Sequence, residues 1–239
     1  MITFFSTFEN TNYRQNNSIE SWKKLNCVSN IVAFSSKEEG YDIDYLPYSQ
    51  IIMGMPTVSS LFKDILEKYD TEYFCYLNSD ILFLSDFCET FNKVKEKHNS
   101  FSVIGQRHNW NSPKALDVPR LSDEEIKKEV LHDCSLHPKT GVDYFLFSRD
   151  VFEGKNIPEF LIARRYFDHW LAHYPRTVNV PVIDATGNIF CIHHEETRSK
   201  RESDWSQIPQ FREGCNYNGA LFGQSKMPAL GIDSADRKL

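Results

Sequence analysis

The sequence predicts an α/β fold, with a mostly parallel central sheet and helices on both of its faces. Strand-like and helix-like segments alternate through the first half of the chain. The run from Tyr73 to Phe83 is apolar and aromatic apart from one polar step, as a strand buried on both faces must be. A hydrophobic content of 41% with 14% aromatics can fill a substantial core in 239 residues, so one domain is expected over 1–239.

Residues 2–8 read as the first strand. This opening is apolar but has no basic lead and no small-residue cleavage site, so it does not read as a signal peptide. Residues 14–25 read as a helix and 30–35 as a second strand. The helix over 57–69 has an apolar stripe, because Val58, Leu61, Phe62, Ile65, Leu66 and Tyr69 recur at spacings of three and four. Pro56 stands at its entrance, where a missing N–H costs little. The strand over 73–83, a helix over about 86–97 and a short strand at Ser102 to Gly105 complete the alternation. Ligands of such sheets gather at the carboxyl ends of the strands, and Asn78, Ser79 and Asp80 lie near one.

The middle of the chain, from Arg107 to Lys139, is polar and less regular. Ser122-Asp123-Glu124-Glu125 is a capping box, with Leu121 and Ile126 available as a staple, and starts a helix that should run to about His132. Strand patterns return at Tyr144 to Phe147, Val178 to Ile183 and Ile189 to Ile192, the first two separated by the aromatic-rich segment Arg165 to Leu171. The C-terminal stretch ending Ser-Ala-Asp-Arg-Lys-Leu reads as a loose tail.

Composition narrows the function classes. Lys plus Arg number 27 against 33 Asp plus Glu, a net charge of -6, so a nucleic-acid partner is not expected. No apolar stretch reaches the roughly 20 residues needed to span a bilayer. The six cysteines form no Cys-x-x-Cys pair, and Cys75 and Cys191 fall inside apolar runs. That pattern reads as buried reduced thiols in a soluble, cytoplasmic protein.

Several polar residues punctuate this apolar framework. A carboxylate at the end of a buried strand needs a partner, and Asp80 is a natural oxygen ligand for a divalent cation that would neutralise a diphosphate. Asn78 beside it can hydrogen-bond a ribose or sugar hydroxyl without adding charge. His193-His194-Glu195 follows the last apolar strand, and a neutral imidazole there can complete coordination begun by Asp80. No His-Glu-x-x-His spacing is present, which excludes a zinc-protease reading. Asp143 follows a glycine that would let backbone approach a ligand closely. Asp168 stands among aromatics; burial would raise its pKa and suit it to general-base work, and it can equally cap the following helix.

Thr7 and Phe8 end the first strand, Arg14 opens the next helix and Ser35 ends the second strand, where they can meet a base and ribose. Thr57 and Ser60 can face a diphosphate through their helix N-terminus. Arg198, Lys200 and Arg201 would stabilise a departing diphosphate if their loop folds over a bound donor.

The order of Asn-Ser-Asp after alternating elements, Gly-x-Asp-Tyr-Phe, an Arg-x-x-x-Asp-x-Trp segment from Arg164 to Trp170, Val182-Ile183-Asp184-Ala185-Thr186 and Ile192-His193-His194 resembles the nucleotide-diphospho-sugar glycosyltransferases of the GT-A fold. The resemblance covers roughly residues 2–195. It implies a single Rossmann-like GT-A domain with a nucleotide-binding half over about 1–105, an acceptor and catalytic half over about 106–225 and a tail over about 226–239. Asn-Ser-Asp is similar to the Asp-x-Asp metal motif with its first Asp replaced by Asn. The resemblance therefore implies Mn2+ or Mg2+ held by Asp80 with His193 or His194. It also implies a UDP-sugar donor contacted around Asn78, Ser79 and Asp80, and a glycan or other hydroxyl acceptor. Asp168 matches the base of inverting members, with Asp143 as a second catalytic candidate.

Three other readings compete. A sugar nucleotidyltransferase would need a glycine-rich loop after the first strand, where this chain has Glu9-Asn10-Thr11-Asn12-Tyr13-Arg14. A non-catalytic sugar-nucleotide or glycan-binding module would explain the missing first carboxylate. A transferase acting on DNA bases needs a cationic groove, which the acidic balance opposes.

Overall fold

Phe4 and Phe5, adjacent on the first strand, are buried in two different cores. A strand with apolar side chains on both sides must lie between two layers. The computed structural model, which describes residues 1–8, 13–37, 40–112, 114–195 and 207–239, has that arrangement.

The first half contains β1 (Ile2–Thr7), α1 (Tyr13–Lys23), β2 (Val28–Phe34), β3 (Asp44–Leu46), β4 (Ile51–Ile52), β5 (Met55–Pro56), α2 (Val58–Lys68), β6 (Tyr73–Leu77), β7 (Ile81–Leu82), α3 (Asp86–Lys95), β8 (Ser102–Ile104) and β9 (His108–Asn111). The second contains α4 (Asp123–Asp133), β10 (Cys134–Leu136), β11 (Tyr144–Ser148), α5 (Phe167–Thr177), β12 (Val182–Asp184), β13 (Ile192–Glu195), α6 (Pro209–Ser225) and β14 (Arg237–Lys238).

The central sheet has eight strands in the order β14-β12-β8-β11-β6-β1-β2-β3. Every pairing is parallel except those of β11, which runs antiparallel to both neighbours. Phe5, Phe74, Phe145 and Phe147 pack with Phe62 of α2 and Trp170 of α5 on one face. Phe4, Cys75, Tyr144 and Leu146 pack with Trp22 of α1 and Phe87 of α3 on the other. The expected α/β architecture is the observed one. The stripe on α2 and the capping box at Ser122 and Glu125 are also present.

The run from Tyr73 to Phe83 is not one strand. It breaks after Leu77, and β7 joins a second, four-stranded sheet in the order β10-β9-β13-β7. Leu82, Trp110, Ile126, Val130 and Ile192 form a third core beneath this sheet and α4. The C-terminal stretch is not a loose tail either. Ile232 is buried, β14 pairs with β12, and the backbone N–H of Asp236 donates to Val182 O at 3.0 Å.

Cys27 and Cys88 form a disulfide across 61 residues, contrary to the expected set of reduced thiols. Both lie in the core that packs α1 and α3 on the sheet. Disulfides persist in oxidising compartments, so the cytoplasmic expectation loses the support it drew from reduced cysteines. Among the described residues no helix is long and apolar enough to cross a membrane. Cys75, Cys134, Cys191 and Cys215 are free. Thiol titration of the denatured chain without reductant should therefore count four thiols, and six after reduction. Six in both states would disprove the bond. Replacing Cys88 with serine should lower stability by about 2–4 kcal/mol in a denaturant melt.

Candidate active site

The chain crosses between the central and the small sheet at three places that meet: residues 78–80 between β6 and β7, 105–107 between β8 and β9, and 137–143 between β10 and β11. These crossings line a cavity of about 810 Å³, closed on another side by residues 162–165, Phe167, Asp168 and Phe211 of α6. The cavity lies at the carboxyl end of β6, where a sheet of this kind offers its ligand crevice.

Asn78 extends the pairing of β6 with β11, its backbone N–H donating to Asp143 O at 2.9 Å. Its side-chain Nδ2 donates to Asp143 Oδ1 at 2.7 Å. Arg107 Nη1 donates to the other oxygen of the same carboxylate. This network explains why an amide rather than a carboxylate stands at position 78. A carboxylate at position 78 would face the Asp143 carboxylate, whereas an amide donates to it. Ser79 Oγ accepts from Gln15 Nε2 of α1 at 3.1 Å, which fixes the turn from the opposite side.

Asp80 Oδ2 lies 2.9 Å from His193 Nε2. The register explains the meeting, because β13 runs antiparallel to β7 and puts His193 opposite Ile81. Burial would raise the Asp80 carboxyl, but His193 and Arg107 outweigh it and hold the group below its usual range. His194 does not share the site. Alternation along β13 puts it beside Trp110, with ring centroids 4.4 Å apart, and its Nε2 lies 2.9 Å from Ser112 O. Its assignment as a metal ligand is corrected accordingly.

Asp168 lies in the first turn of α5 rather than at the cap, which is Tyr166, and it lines the cavity. Burial raises its carboxyl above the ordinary carboxylate value; neighbouring His169 pulls it down and Asp143 adds to the rise.

Of the remaining expected site residues, Thr7 lines the cavity. Phe8 is core, stacked edge-on against Tyr41, and its carbonyl accepts from Tyr48 Oη. Ser35 is buried and its Oγ accepts from Lys37 N. Arg14 lies on the first turn of α1 over the Tyr13 ring. None of these three is on the cavity wall. Thr57 and Ser60 are corrected as diphosphate contacts. Thr57 caps α2 by accepting from Ser60 N, Val58 N donates to Phe160 O, and both side chains are buried and off the cavity wall. Gly141 lines the cavity, and the His137 ring fills the space that a side chain at this position would take. The segment holding Arg198, Lys200 and Arg201 and the loop at 9–12 lie outside the described residues.

Gln15, Arg107, Arg164, Arg165 and Phe211 also line the cavity and were not expected from the sequence. Each comes from a segment whose place on the wall depends on a crossing or a packing that local patterns do not encode.

No protein-family model matches this sequence, and no curated protein does. Among solved structures the chain is similar to mannosyltransferase PcManGT from Pyrobaculum calidifontis in complex with GDP-Man and Mn2+, at 10% identity and a TM-score of 0.57, covering 98% of this chain and 68% of that one. It also aligns with S. aureus TarS 1-349 at 8% identity and a TM-score of 0.48, over 94% of this chain and 74% of that one. A third alignment, with 4-diphosphocytidyl-2C-methyl-D-erythritol synthase from Anaerococcus prevotii, has 13% identity and a TM-score of 0.43 over 90% and 95%. The first of these likenesses shows a shared GT-A-like, Rossmann-type fold.

Proposed function

We propose that this chain is a glycosyltransferase that moves a sugar from a nucleotide-diphosphate donor, UDP-sugars being the first to test, to an acceptor hydroxyl. The contact between Asp80 and His193 at the carboxyl end of β6, on the same cavity as Asp168, carries the reading. The mannosyltransferase that shares the fold supports it, as a protein in complex with a nucleotide sugar and Mn2+.

A carboxylate oxygen and an imidazole nitrogen in contact fit a divalent cation such as Mn2+ or Mg2+. Among the described residues no group of three or more His, Cys, Asp or Glu could hold an ion. Asp80 and His193 would thus bind it together with oxygens of the donor diphosphate. When bound, the cation offsets the charge of the departing diphosphate. Asp168 takes the proton from the attacking acceptor hydroxyl, and single displacement inverts the anomeric centre. Asn78, Asp143 and Arg107 hold the turn that carries Asp80.

A thermal-shift panel of UDP- and GDP-sugars, with and without Mn2+, tests this. Nucleotide plus Mn2+ should raise the melting temperature more than either alone, and Asp80→Asn or His193→Ala should remove the synergy with about a 10²-fold loss of donor affinity. His194→Ala should destabilise the fold yet keep the synergy. Stabilisation by no nucleotide under either condition would overturn the reading.

A further inference from the structure

Arg164 is held differently from Arg107, the other half-buried arginine of the cavity. Arg107 is paired with Asp143. Arg164 lines the same cavity, its guanidinium lies 4.9 Å from the centroid of Phe211, its Nη1 donates to Ala163 O at 2.9 Å, and its Nε is buried with no acceptor among the described residues. Among the described residues no carboxylate pairs with Arg164, so a guanidinium on this wall suits an anionic ligand.

The fold makes room for this side chain. A Cβ at Gly214 of α6 would come within 2.6 Å of Arg164 Nε and 2.9 Å of its Cδ. Asn218, one turn further on α6 and fully buried, clamps the loop by accepting from Leu161 N at 2.8 Å and donating to Leu161 O and Arg165 O at 3.0 Å. The clamped loop keeps Ala163 (φ 56) and Tyr166 (φ 85) in the left-handed region, on either side of Arg164 and Arg165. Non-glycine residues persist there only where surrounding structure imposes it, and such strain gathers at ligand sites.

We propose that Arg164 is an oxyanion-binding residue on the acceptor side of the cavity, taking a carboxylate or phosphate carried by an acceptor sugar. Arg164 belongs to the loop that leads directly into Asp168, the base that must meet the acceptor, whereas the donor diphosphate is matched to Asp80 and His193. The inference rests on the transferase reading. A guanidinium binds a planar carboxylate or a phosphate through paired N–H donors, which a neutral sugar does not satisfy.

Calorimetry on the full chain with glucuronate, glucose 6-phosphate and glucose tests it, with UDP plus Mn2+ as a separate titration. At least one anionic sugar should bind about tenfold or more tighter than glucose. Arg164→Gln should erase that preference and Arg164→Lys keep part of it. Gly214→Ala should erase it too, by displacing an unchanged Arg164, with melting curves confirming a folded chain. UDP affinity should be the same in all four proteins. No preference in the native chain would overturn the proposal, as would a loss of UDP affinity in Arg164→Gln, which assigns the residue to the donor. An Arg164-dependent preference in a protein that binds no nucleotide would instead retain this site and reject the transferase reading.

Discussion

Asp168→Asn should lower sugar transfer by about 10²–10⁴-fold, with affinity for nucleotide and Mn2+ changed by less than about twofold. Asparagine keeps the shape and most hydrogen bonds of the side chain but cannot accept the proton of an acceptor hydroxyl. The loss should therefore appear in kcat and not in donor binding. Only the ionised carboxylate accepts a proton, and burial raises this group above the ordinary carboxylate value, with His169 opposing and Asp143 assisting. The acid limb of kcat/KM should accordingly fall at a pH above about 4, the value for an unperturbed aspartate.

The same shift has a stability consequence of definite sign. The folded chain holds the Asp168 proton more tightly than the unfolded chain, so ionising the group opposes folding. That cost is absent below the ordinary carboxylate value and complete above the raised one. Asp168→Asn should gain stability relative to the native chain as pH rises through that interval, in melts compared at acid and neutral pH. A variant that retains transfer within tenfold would place the base elsewhere.

Local patterns were enough for the elements that local physics builds. The α2 stripe and the Ser122 capping box each lie within about one dozen residues and appear as expected. The end-of-strand position of Asp80 was also legible, because a carboxylate after an apolar run marks where the strand leaves the core. The break after Leu77 was not, since Ile81, Leu82 and Phe83 are as apolar as β6 and are buried as deeply, but in part against a different sheet. Once β7 pairs with β13 the choice between His193 and His194 follows from register, and no spacing within the sequence contains that pairing. Helix α6 escaped notice because Gly214, Gly219 and Gly223 lower its helix propensity, although two of them admit Arg164 and Tyr166. The Cys27 to Cys88 bond and the Arg107 to Asp143 pair are long-range and leave no periodic trace.

Asp143→Ala should destabilise the chain by about 3–5 kcal/mol, because it removes the carboxylate that pairs with the Arg107 guanidinium away from solvent. The side chains of the pair are only 12% and 8% exposed, so solvent screens them little. The same substitution removes the acceptor for Asn78 Nδ2, so the turn that carries Asp80 loses its side-chain anchor. These two effects separate in a double variant. Combining Arg107→Met with Asp143→Leu removes both charges and keeps the volume filled, and should recover most of the melting temperature. It gives Asn78 nothing to donate to, so affinity for nucleotide with Mn2+ should remain about tenfold or more below native. Recovery of both properties would make the pair a matter of stability alone. Recovery of the melting temperature without the affinity would make Asp143 a positioning residue. Its carboxylate would then act on the reaction through Asn78 and Asp80, and the proton transfer would fall to Asp168.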